Sequence, residues 1–302
     1  MMKVCACILH YNQPESLGHL IEAVQTQDYP LHKIIVVDNG STTENSSLEK
    51  TYPDVEFVFL KKNRGVGFGH NTSWKLAIEK FDADFIWSLE HDCLPESSNL
   101  SKIIEKSVQC FSEKDIYAVN SIELNDFDFD KFSYYKIRFP NIKRIPKLHK
   151  VKDYFGGLCF NGVLIPAHVI KRIGYLREDF FIGCEDAEYT QRIYENGGKV
   201  LRVVDTYVYH DLYKKHKKIE FGKKVLLFPN NSPIREYYSF RNYLALNRNY
   251  VNFAIKLFPS IIYILLFRGD KFANISSKIL GFYDAIRGKL GESNYYFMKK
   301  ND

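Results

Sequence analysis

The first 120 residues alternate between short apolar runs rich in Val and Ile and longer stretches with helical periodicity. Runs that are apolar on both faces are typical of strands buried in a parallel sheet, and the stretches between them are long enough for crossover helices. The pattern predicts an α/β fold with a largely parallel sheet flanked by helices. The predicted strands are Val4–Leu9, Lys33–Val37, Val55–Leu60, Asp84–Leu89 and Ile116–Asn120, and the predicted helices are Ser16–Gln27, Asn71–Lys80 and Leu100–Ser112.

Polar residues follow four of these strands. The four segments are His10-Tyr11-Asn12, Asp38-Asn39-Gly40-Ser41, Asn63–Asn71 and Glu90-His91-Asp92. Ligands of such sheets bind beyond the carboxyl ends of the strands. We therefore expect the four segments to converge on one crevice.

The triplet Glu90-His91-Asp92 carries two carboxylates directly after the apolar run FIWSL. Residues i and i+2 of an extended segment point to the same side, so Glu90 and Asp92 can address one cation. Hard oxygen ligands suit Mg²⁺ or Mn²⁺. The alternative is an acidic loop that caps the following helix, and the spacing alone leaves both open.

Each of two further segments can be interpreted either as part of a ligand-binding site or as a purely structural turn. The Asp38 carboxylate can accept an N–H from a base, or it can form an ordinary Asx turn. The segment NRGVGFGHN, from Asn63 to Asn71, can bring backbone N–H groups close to a phosphate or sugar, or it is simply a tight turn. It does not match a dinucleotide fingerprint, because His70 stands where the third glycine belongs.

Glu185-Asp186 opens a predicted helix, Glu185–Asn196, which Gly197-Gly198 ends. A carboxylate here can act as a general base that accepts a proton from a hydroxyl, although the helix dipole alone also favours acids in a first turn. His210 follows a predicted strand, Val200–Tyr209. It is either a structural histidine or, if it meets Asp92, a ligand of the same ion.

The second part of the chain is basic. Residues 1–135 carry 12 basic and 21 acidic side chains (net −9), and residues 136–302 carry 30 and 15 (net +15). The segment from Leu124 to Lys152 predicts a long loop, and a lysine-rich stretch covers Lys214–Lys224. Ser232–Arg248 predicts a helix. The apolar run Leu257–Phe267 is too short to cross a bilayer.

The N-terminal segment VCACILH is too short and too polar at its end to be a signal peptide. We therefore expect a cytoplasmic protein.

The ordered set of motifs resembles glycosyltransferase family 2, the members with a GT-A fold, and especially bacterial rhamnosyl- and galactofuranosyltransferases. The similar segments are ILHYNQP, VVDNGST, NRGVGFGHN, EHD, CEDAEYTQR, YVYHD and REYYSFRNYLAL. They run from Ile8 to about Leu246. Each motif is weak alone, and the order makes the set specific.

The resemblance implies a role for each matching acid. Asp38 would contact the nucleotide base, and Asp92 would be the metal-binding end of a DxD-type motif with Glu90 at its first position. His210 would join the ion. The pair Glu185-Asp186 would be catalytic, with the second acid as the base.

The remaining expected contacts to the nucleotide sugar come from the polar strand ends. They are Tyr11, Asn12, Asn39, Asn63, Gly65, Gly67, Asn71 and His91. The motif EHD departs from the family pattern, with Glu90 for the usual aspartate and His91 in the middle.

The resemblance also implies a reaction. An inverting transferase would use Mn²⁺ or Mg²⁺ to move rhamnose, galactofuranose or another hexose from a UDP- or dTDP-sugar to an acceptor hydroxyl. The acceptor would be a growing bacterial surface polysaccharide, such as a capsule or O-antigen, carried on a polyprenyl diphosphate. The implied domains are a GT-A catalytic domain at 1–212, with a nucleotide-sugar half (1–120) and an acceptor half (121–212), and a C-terminal basic helical region at 213–302.

The basic region would contact the inner face of the plasma membrane as a peripheral protein, and a merely solvated basic face is the alternative. No nucleic acid partner is expected. Two rival functions fit the sequence less well: a sugar nucleotidyltransferase, which would need a basic glycine-rich triphosphate loop near the N-terminus, and a non-catalytic protein that binds a membrane surface or nucleic acid.

Overall fold

The structure is a computed structural model. It describes residues 2–43, 46–124, 154–210, 216–221, 224–229, 232–247, 261–262, 264–265 and 270–295, and at 46–47, 154–155, 216–221 and 224–229 it describes the backbone alone. The predicted loop from Leu124 to Lys152 lies almost wholly outside the described residues, as does most of the apolar run Leu257–Phe267.

Strands and helices alternate through the first part of the chain, as predicted. In chain order the elements are β1 (Val4–His10), α1 (Pro14–Gln25), β2 (Lys33–Asp38), α2 (Ser46–Thr51), β3 (Glu56–Phe59), α3 (Val66–Glu79), β4 (Phe85–Glu90), β5 (Cys93–Pro95), α4 (Asn99–Cys110), β6 (Tyr117–Leu124), β7 (Tyr154–Phe155), β8 (Val163–Pro166), α5 (Ala167–Ile173), α6 (Glu185–Glu195), β9 (Lys199–His210), β10 (His216–Phe221), β11 (Lys224–Pro229), α7 (Pro233–Asn247) and α8 (Lys271–Ile286). A short 3₁₀ helix covers Glu178–Phe180.

Nine of these strands form one sheet in the order β3-β2-β1-β4-β8-β6-β9-β5, with β7 paired to β9. The strands β3, β2, β1 and β4 are parallel, and so are β6 and β9. The remaining pairs, β4 with β8, β6 with β8, β5 with β9 and β7 with β9, are antiparallel. The carboxyl ends of the first four strands therefore share one edge of the sheet.

Apolar layers cover both faces of the sheet. All seven residues of β1 are buried, and their side chains alternate between two core clusters, with Ile8 in one and Cys7 in the other. Helices α1 and α4 pack on the first face, and α3, α5 and α6 on the second. Burial of one such aliphatic side chain contributes about 1.5–3 kcal/mol. The predicted α/β architecture with flanking helices is confirmed.

Helix α3 begins five residues earlier than predicted, at Val66 instead of Asn71. The glycine-rich segment is thus itself helical, although each glycine in a helix costs about 1 kcal/mol relative to alanine. Close packing explains the glycines: a Cβ on Gly69 would collide with the side chain of Leu9. Sequence periodicity missed this start because glycines carry no apolar signal.

The chain divides into two compact units. The first contains Met1–Arg64, Gly69–Leu176 and Tyr189–Lys214, and the second contains Gly65–Phe68, Arg177–Glu188 and Lys215–Asp302. The domain boundary between residues 212 and 213 stays a prediction.

The second unit contains a strand pair and a helix pair. The strands β10 and β11 pair antiparallel where no strand was predicted. β10 lies within the lysine-rich stretch, where lysines mask the apolar alternation, and β11 extends beyond it to Pro229. The predicted helix Ser232–Arg248 is confirmed as α7, and α8 packs against it through an ion pair between Glu236 and Lys278 (2.6 Å). Among the described residues, no helix has the length and apolar character needed to cross a membrane.

Candidate active site

The strands β1, β2 and β4 end side by side. In the sheet register His10 pairs with Asp38 of β2, and Leu9 pairs with Glu90 of β4. The N–H of His91 donates to the carbonyl of Leu9 (3.0 Å), and the rings of His91 and His10 meet edge to face at 5.4 Å. The ends of β1, β2 and β4 thus share one edge of the sheet, as predicted, and their convergence with Asn63–Asn71 on one crevice stays a prediction.

Asp38 is buried in a turn, with 4% of its surface exposed. Its Oδ1 accepts a hydrogen bond from the N–H of Ser41 (2.7 Å), and its Oδ2 lies 3.8 Å from Nε2 of His10. The first contact is that of an Asx-type turn, the structural interpretation of this motif. Contact with a nucleotide base stays a prediction.

Asn12 joins the loops that follow β1 and β2. Its N–H donates to Oγ of Ser41 (2.8 Å), and its Oδ1 accepts from the N–H groups of Thr42 (2.7 Å) and Thr43 (3.3 Å). Its φ of 55° lies in the left-handed region, which asparagine tolerates better than most residues. Tyr11, beside it, is half-buried.

Three predicted asparagine contacts have partners within the protein. Asn39 accepts from the N–H of Arg64 (3.0 Å) and donates to Oδ1 of Asn63 (3.2 Å). Asn71, 2% exposed, donates to the carbonyl of Leu176 (3.0 Å) and accepts from its N–H (2.9 Å). The amide of Asn71 thus holds the chain at Leu176, and its role in nucleotide-sugar binding stays a prediction.

Gly65 and Gly67 allow close packing within the second unit. Gly65 has φ +89°, and the following N–H of Val66 donates to the carbonyl of Phe181 (2.7 Å). A Cβ on Gly67 would lie 2.5 Å from the carbonyl oxygen of Arg177. Close packing therefore explains why glycine occupies these two positions. Contact of Gly65 and Gly67 with a phosphate or sugar stays a prediction.

A buried hydrogen-bond chain leads to Glu90, and sequence reasoning missed it. Nε1 of Trp74 donates to Oγ of Ser88 (3.2 Å), Oγ bonds to Nδ1 of His70 (3.1 Å), and Nε2 of His70 lies 3.9 Å from Oε1 of Glu90. The indole can only donate, so Oγ of Ser88 accepts from it, and between Oγ and Nδ1 of His70 either group can be the donor, depending on the tautomer of the ring. The sequence feature that could have pointed to this chain of contacts is His70, which stands where the third glycine of a dinucleotide fingerprint belongs.

Asp92 and His210 meet through the register of two strands. β5 pairs with β9 so that Cys93 is opposite His210. Oδ2 of Asp92 lies 3.5 Å from Nε2 of the histidine, whose side chain is 8% exposed. The structure thus brings together the two residues whose meeting was the condition for a ligand role of His210.

The other ring nitrogen of His210 contacts a second buried group that the sequence did not reveal. Nδ1 lies 2.8 Å from Nδ2 of Asn161, and the same amide nitrogen donates to Oε1 of Glu123 (3.3 Å). The thiol of Cys159 also donates to that carboxylate. No motif could have identified Asn161 and Glu123, because they come from separate segments and meet only in the fold.

Negative charge surrounds His210. Burial lowers the pKa of His210, but the hydrogen bond and charge of Asp92, with the charges of Glu123 and Glu90, outweigh burial and raise the pKa above its ordinary value. Burial also raises the pKa of Glu90, but the contact with His70 and the charge of His210 leave it lowered overall, despite the charge of Asp92. Three carboxylates around one imidazole form a site that attracts a cation.

The fit to a divalent ion rests on two ligand atoms. Within the described ranges, no three His, Cys, Asp or Glu side chains form a metal-binding group. Mg²⁺ commonly takes one or two protein ligands, with substrate phosphates and waters completing the shell at about 2.1 Å. Asp92 and His210, 3.5 Å apart, can share such an ion. The ligand role of Glu90 stays a prediction.

Glu185 and Asp186 lie in the first turn of α6 and belong to the second unit. Glu185 is 5% exposed, and Oδ1 of Asp186 accepts from the N–H of Ala187 (2.8 Å). The helix starts where the sequence predicts, and its dipole favours both charges. Their catalytic role stays a prediction.

Comparison with known proteins identifies the family. The model of the glycosyl transferase family 2 matches residues 5–162, which include β1, the Asp38 turn and the EHD triplet. The chain belongs to glycosyl transferase family 2. This family 2 transferase is 26% identical to the dTDP-rhamnosyl transferase RfbF of Shigella flexneri, over 97% of its own length and 98% of the relative's. A non-catalytic binding protein is therefore the wrong interpretation.

Solved structures show the GT-A fold. S. aureus TarS 1-349 in complex with UDP-GlcNAc matches with a TM-score of 0.57 and 16% identity, over 94% of this chain and 82% of that one. GalNAc-T7 with UDP, GalNAc and Mn²⁺ matches with a TM-score of 0.57 and 14% identity, over 99% of this chain and 57% of that one. The family 2 transferase spans 40% of a longer TarS chain.

Proposed function

We propose that this family 2 transferase is an inverting enzyme that uses Mn²⁺ or Mg²⁺ to move rhamnose, galactofuranose or another hexose from a dTDP- or UDP-sugar to a hydroxyl of a growing bacterial surface polysaccharide. The observation that carries the proposal is the pair Asp92–His210, 3.5 Å apart at the sheet edge where Glu90 and Asp38 also lie. The compared proteins support the donor class, since they include a dTDP-rhamnosyl transferase and complexes with UDP-GlcNAc or UDP.

Asp38 would select the base. Uracil and thymine both present an imide N–H, and a carboxylate has about four lone-pair positions, so Asp38 can hold the Ser41 N–H and accept the imide as well. A base without an N–H donor at that position would lose this hydrogen bond in a site where Asp38 is almost fully buried. This argument supports UDP and dTDP equally.

Asp92 and His210 would hold the divalent ion, which when bound neutralises charge on the leaving diphosphate as a Lewis acid. Neighbouring side chains contact His210 and Glu90. Asn161 lies against Nδ1 of His210 and can orient the ring. For Nε2 to bind the ion the ring proton must sit on Nδ1, which requires the side-chain amide of Asn161 to turn its oxygen to the ring. Nε2 of His70 lies 3.9 Å from Oε1 of Glu90.

Asp186 would act as the general base. It lies in the first turn of α6, where the helix dipole favours negative charge. Removal of the acceptor proton on the face opposite the diphosphate gives a single displacement, which inverts the anomeric carbon. No covalent intermediate is needed.

A thermal-shift panel tests the proposal. The purified protein is measured with UDP, dTDP, GDP and CMP, each with Mn²⁺ and with a chelator. A ligand at one hundred times its Kd adds about 2.7 kcal/mol, which raises the Tm by a few degrees. We expect a shift with UDP or dTDP that requires the metal.

Two substitutions of the same kind give the control. Asp92→Asn should abolish the metal-dependent shift, and Asp82→Asn, at an exposed ion pair with Lys3, should leave it unchanged. Release of UDP or dTDP from the matching nucleotide sugar then establishes transfer. The absence of a shift with all four nucleotides, or release of pyrophosphate from a nucleoside triphosphate, would contradict the proposed function.

The acceptor would be lipid-linked, and α8 would bring the enzyme to the membrane. One face of α8 exposes Phe272 (74%), Ile279 (50%), Tyr283 (51%) and Ile286 (54%), spaced at helical intervals. The net charge of +15 over residues 136–302 complements an anionic lipid surface, where each nearby Lys or Arg contributes about 1 kcal/mol. This charge and the exposed apolar face favour the inner face of the plasma membrane as the location.

Vesicle flotation tests the membrane contact. We expect recovery with vesicles of anionic phospholipid, much less with neutral vesicles, and a severalfold loss with Phe272→Ser combined with Ile279→Ser. Val108→Ser, which replaces an exposed apolar residue on α4 (53%), is the control and should float like the unchanged protein. Equal recovery with neutral and anionic vesicles would contradict the electrostatic contribution.

A further inference from the structure

The loop that leads into Glu185 and Asp186 has a strained backbone. Phe181 has φ 66° and Cys184 has φ 70°, both in the left-handed region, and Gly183 between them has φ +91°. A bulky residue such as phenylalanine rarely adopts this region. Such conformations persist only where surrounding contacts fix them, and they concentrate at functional sites.

The side-chain amide of Asn242, in α7, donates hydrogen bonds to backbone carbonyls of this loop. Its side chain is fully buried, and Nδ2 donates to the carbonyl oxygens of Phe180 (2.8 Å), Ile182 (3.2 Å) and Gly183 (2.8 Å). Its Oδ1 accepts from Nε of Arg241 (3.0 Å). One amide thus binds most of the strained turn, and its own orientation is fixed by the neighbouring guanidinium.

Arg241 extends this support. The guanidinium is fully buried and donates to the carbonyls of Phe180 (3.0 Å), Asp179 (3.3 Å) and Gly291 (2.7 Å), while Tyr238 covers its face at 4.8 Å. In the described part of the chain its hydrogen bonds go to carbonyl and amide oxygens and to no carboxylate. Burial of a cation without a carboxylate partner is energetically unfavourable. Here the N–H groups of the guanidinium donate to backbone carbonyls and hold the loop.

Helix α7 is itself firmly anchored, so Arg241 and Asn242 are a fixed support. The hydroxyl of Tyr237 donates to Asp284 of α8 (2.6 Å), and Glu236 pairs with Lys278 of α8 (2.6 Å). From the opposite side of the loop, Val66 donates its N–H to the carbonyl of Phe181, as described above.

We propose that Arg241 and Asn242 are positioning residues of the transferase, which hold the strained loop 179–184 and thereby place Glu185 and Asp186 for proton transfer. The proposal rests on the proposed function, in which Asp186 is the base. It also accounts for the motif REYYSFRNYLAL, whose Arg-Asn pair has no other role in the reaction described above. The C-terminal region would then be part of the catalytic machinery, in addition to any membrane contact.

The test compares two Asn→Asp substitutions on the same helix. Asn242→Asp keeps the shape of the side chain and removes the amide donor from the three carbonyls. Asn247→Asp is the control, because Asn247 is exposed and, among the described residues, donates to the carbonyl of Tyr243 one turn earlier in α7. Each variant is assayed for backbone hydrogen exchange over residues 177–188, for Kd of UDP or dTDP with Mn²⁺, and for kcat and KM of transfer.

We expect Asn242→Asp to speed hydrogen exchange over 177–188 at least tenfold and to lower kcat at least tenfold, with the nucleotide Kd within twofold of the unchanged protein. Asn247→Asp should change none of these. A merely structural role would lower the Tm and leave kcat of the folded fraction intact, and this result would overturn the proposal, as would unchanged exchange over the loop.

A second variant approaches the loop from its own side, in case Asn242→Asp does not fold. Gly183→Ala strains a residue at φ +91° and places a Cβ 3.0 Å from Oγ of Ser239, while α7 keeps its sequence. The same loss of kcat at constant nucleotide Kd supports the proposal, and full activity overturns it. If the unchanged protein transfers no sugar, the proposed function fails, and hydrogen exchange still decides whether Asn242 holds the loop.

Discussion

Nε2 of His210 lies 3.5 Å from Oδ2 of Asp92, and the backbone pairing of Cys93 with His210 sets this approach. A β-ladder fixes the position of its residues by main-chain hydrogen bonds, so the two side chains meet irrespective of their charges. The arrangement is therefore in place before a cation arrives, which lowers the cost of ordering on binding.

Removal of the imidazole should weaken the binding of the cation. We expect His210→Ala to raise the Kd of Mn²⁺ at least tenfold, measured by calorimetry in the presence of UDP or dTDP, because one of the two adjacent ligands is lost. Asn161→Ala should raise it about 10–100-fold, since Asn161 orients the ring. His19→Ala, at an exposed position of α1, is the control. Unchanged Mn²⁺ affinity in His210→Ala would remove this residue from the ion site.

Asp186 should be needed for transfer and not for donor binding. We expect Asp186→Asn to retain the nucleotide Kd and to lower kcat by a factor of at least about 10², because a general base contributes about 10²–10⁴. The control is Asp205→Asn, at an exposed residue of β9. Undiminished turnover in Asp186→Asn would assign the base role elsewhere.

The sequence predicted the sheet because each strand carries its own signal. Buried runs such as IIVV and FIWSL are apolar on both faces, and the polar residue that ends each run marks the ligand edge. Asp38 and Glu90 were found in this way. The register places both at the same edge of the sheet, on either side of β1, as parallel order alone implies.

The residues behind the site could not be predicted from local sequence. Glu123 and Asn161 lie in separate segments, and neither belongs to a motif that marks it as part of a site. Arg241 lies in a helix whose aromatic content predicts simple packing, and its carbonyl partners appear only after the loop folds. Hydrogen bonds between distant segments leave no periodic signal along the chain.

Asn71 offers a test of a structural role against a binding role. We expect Asn71→Ala to lower the free energy of unfolding by about 2–4 kcal/mol, because it leaves the buried N–H and carbonyl of Leu176 without their partner. The corresponding fall in Tm is about 5–10 °C. Asn196→Ala, which removes an exposed hydrogen bond to Arg192, should change stability by less than about 0.5 kcal/mol. A stable Asn71→Ala protein that fails to bind UDP or dTDP would instead assign it to the binding site.

Gly40 and Gly197 have nearly the same backbone conformation, with φ +74° and +76°, and differ in their surroundings. A Cβ on Gly40 would collide with the backbone of Lys62 and Asn63, whereas a Cβ on Gly197 meets nothing within 4 Å. Gly197→Ala should therefore cost only the left-handed strain of about 1–2 kcal/mol. Gly40→Ala should cost distinctly more in urea unfolding and should also weaken nucleotide binding, since it displaces the Asp38 turn. Equal losses in the two variants would contradict the close approach.

Tyr237 should make the second unit sensitive to high pH. Burial, with the hydrogen bond to Asp284, raises the pKa of Tyr237 to about 12. Because the ordinary pKa of tyrosine is about 10, the unfolded chain loses the proton first as pH rises, and the stabilisation present below pH 10 is lost toward pH 12. We expect the free energy of unfolding to fall over this range, and Tyr237→Phe to reduce the slope by up to about 1.4 kcal/mol per pH unit. Tyr243→Phe, at an exposed position of the same helix, should leave the slope unchanged, and parallel curves for Tyr237→Phe and the unchanged protein would show that Tyr237 does not titrate in this way.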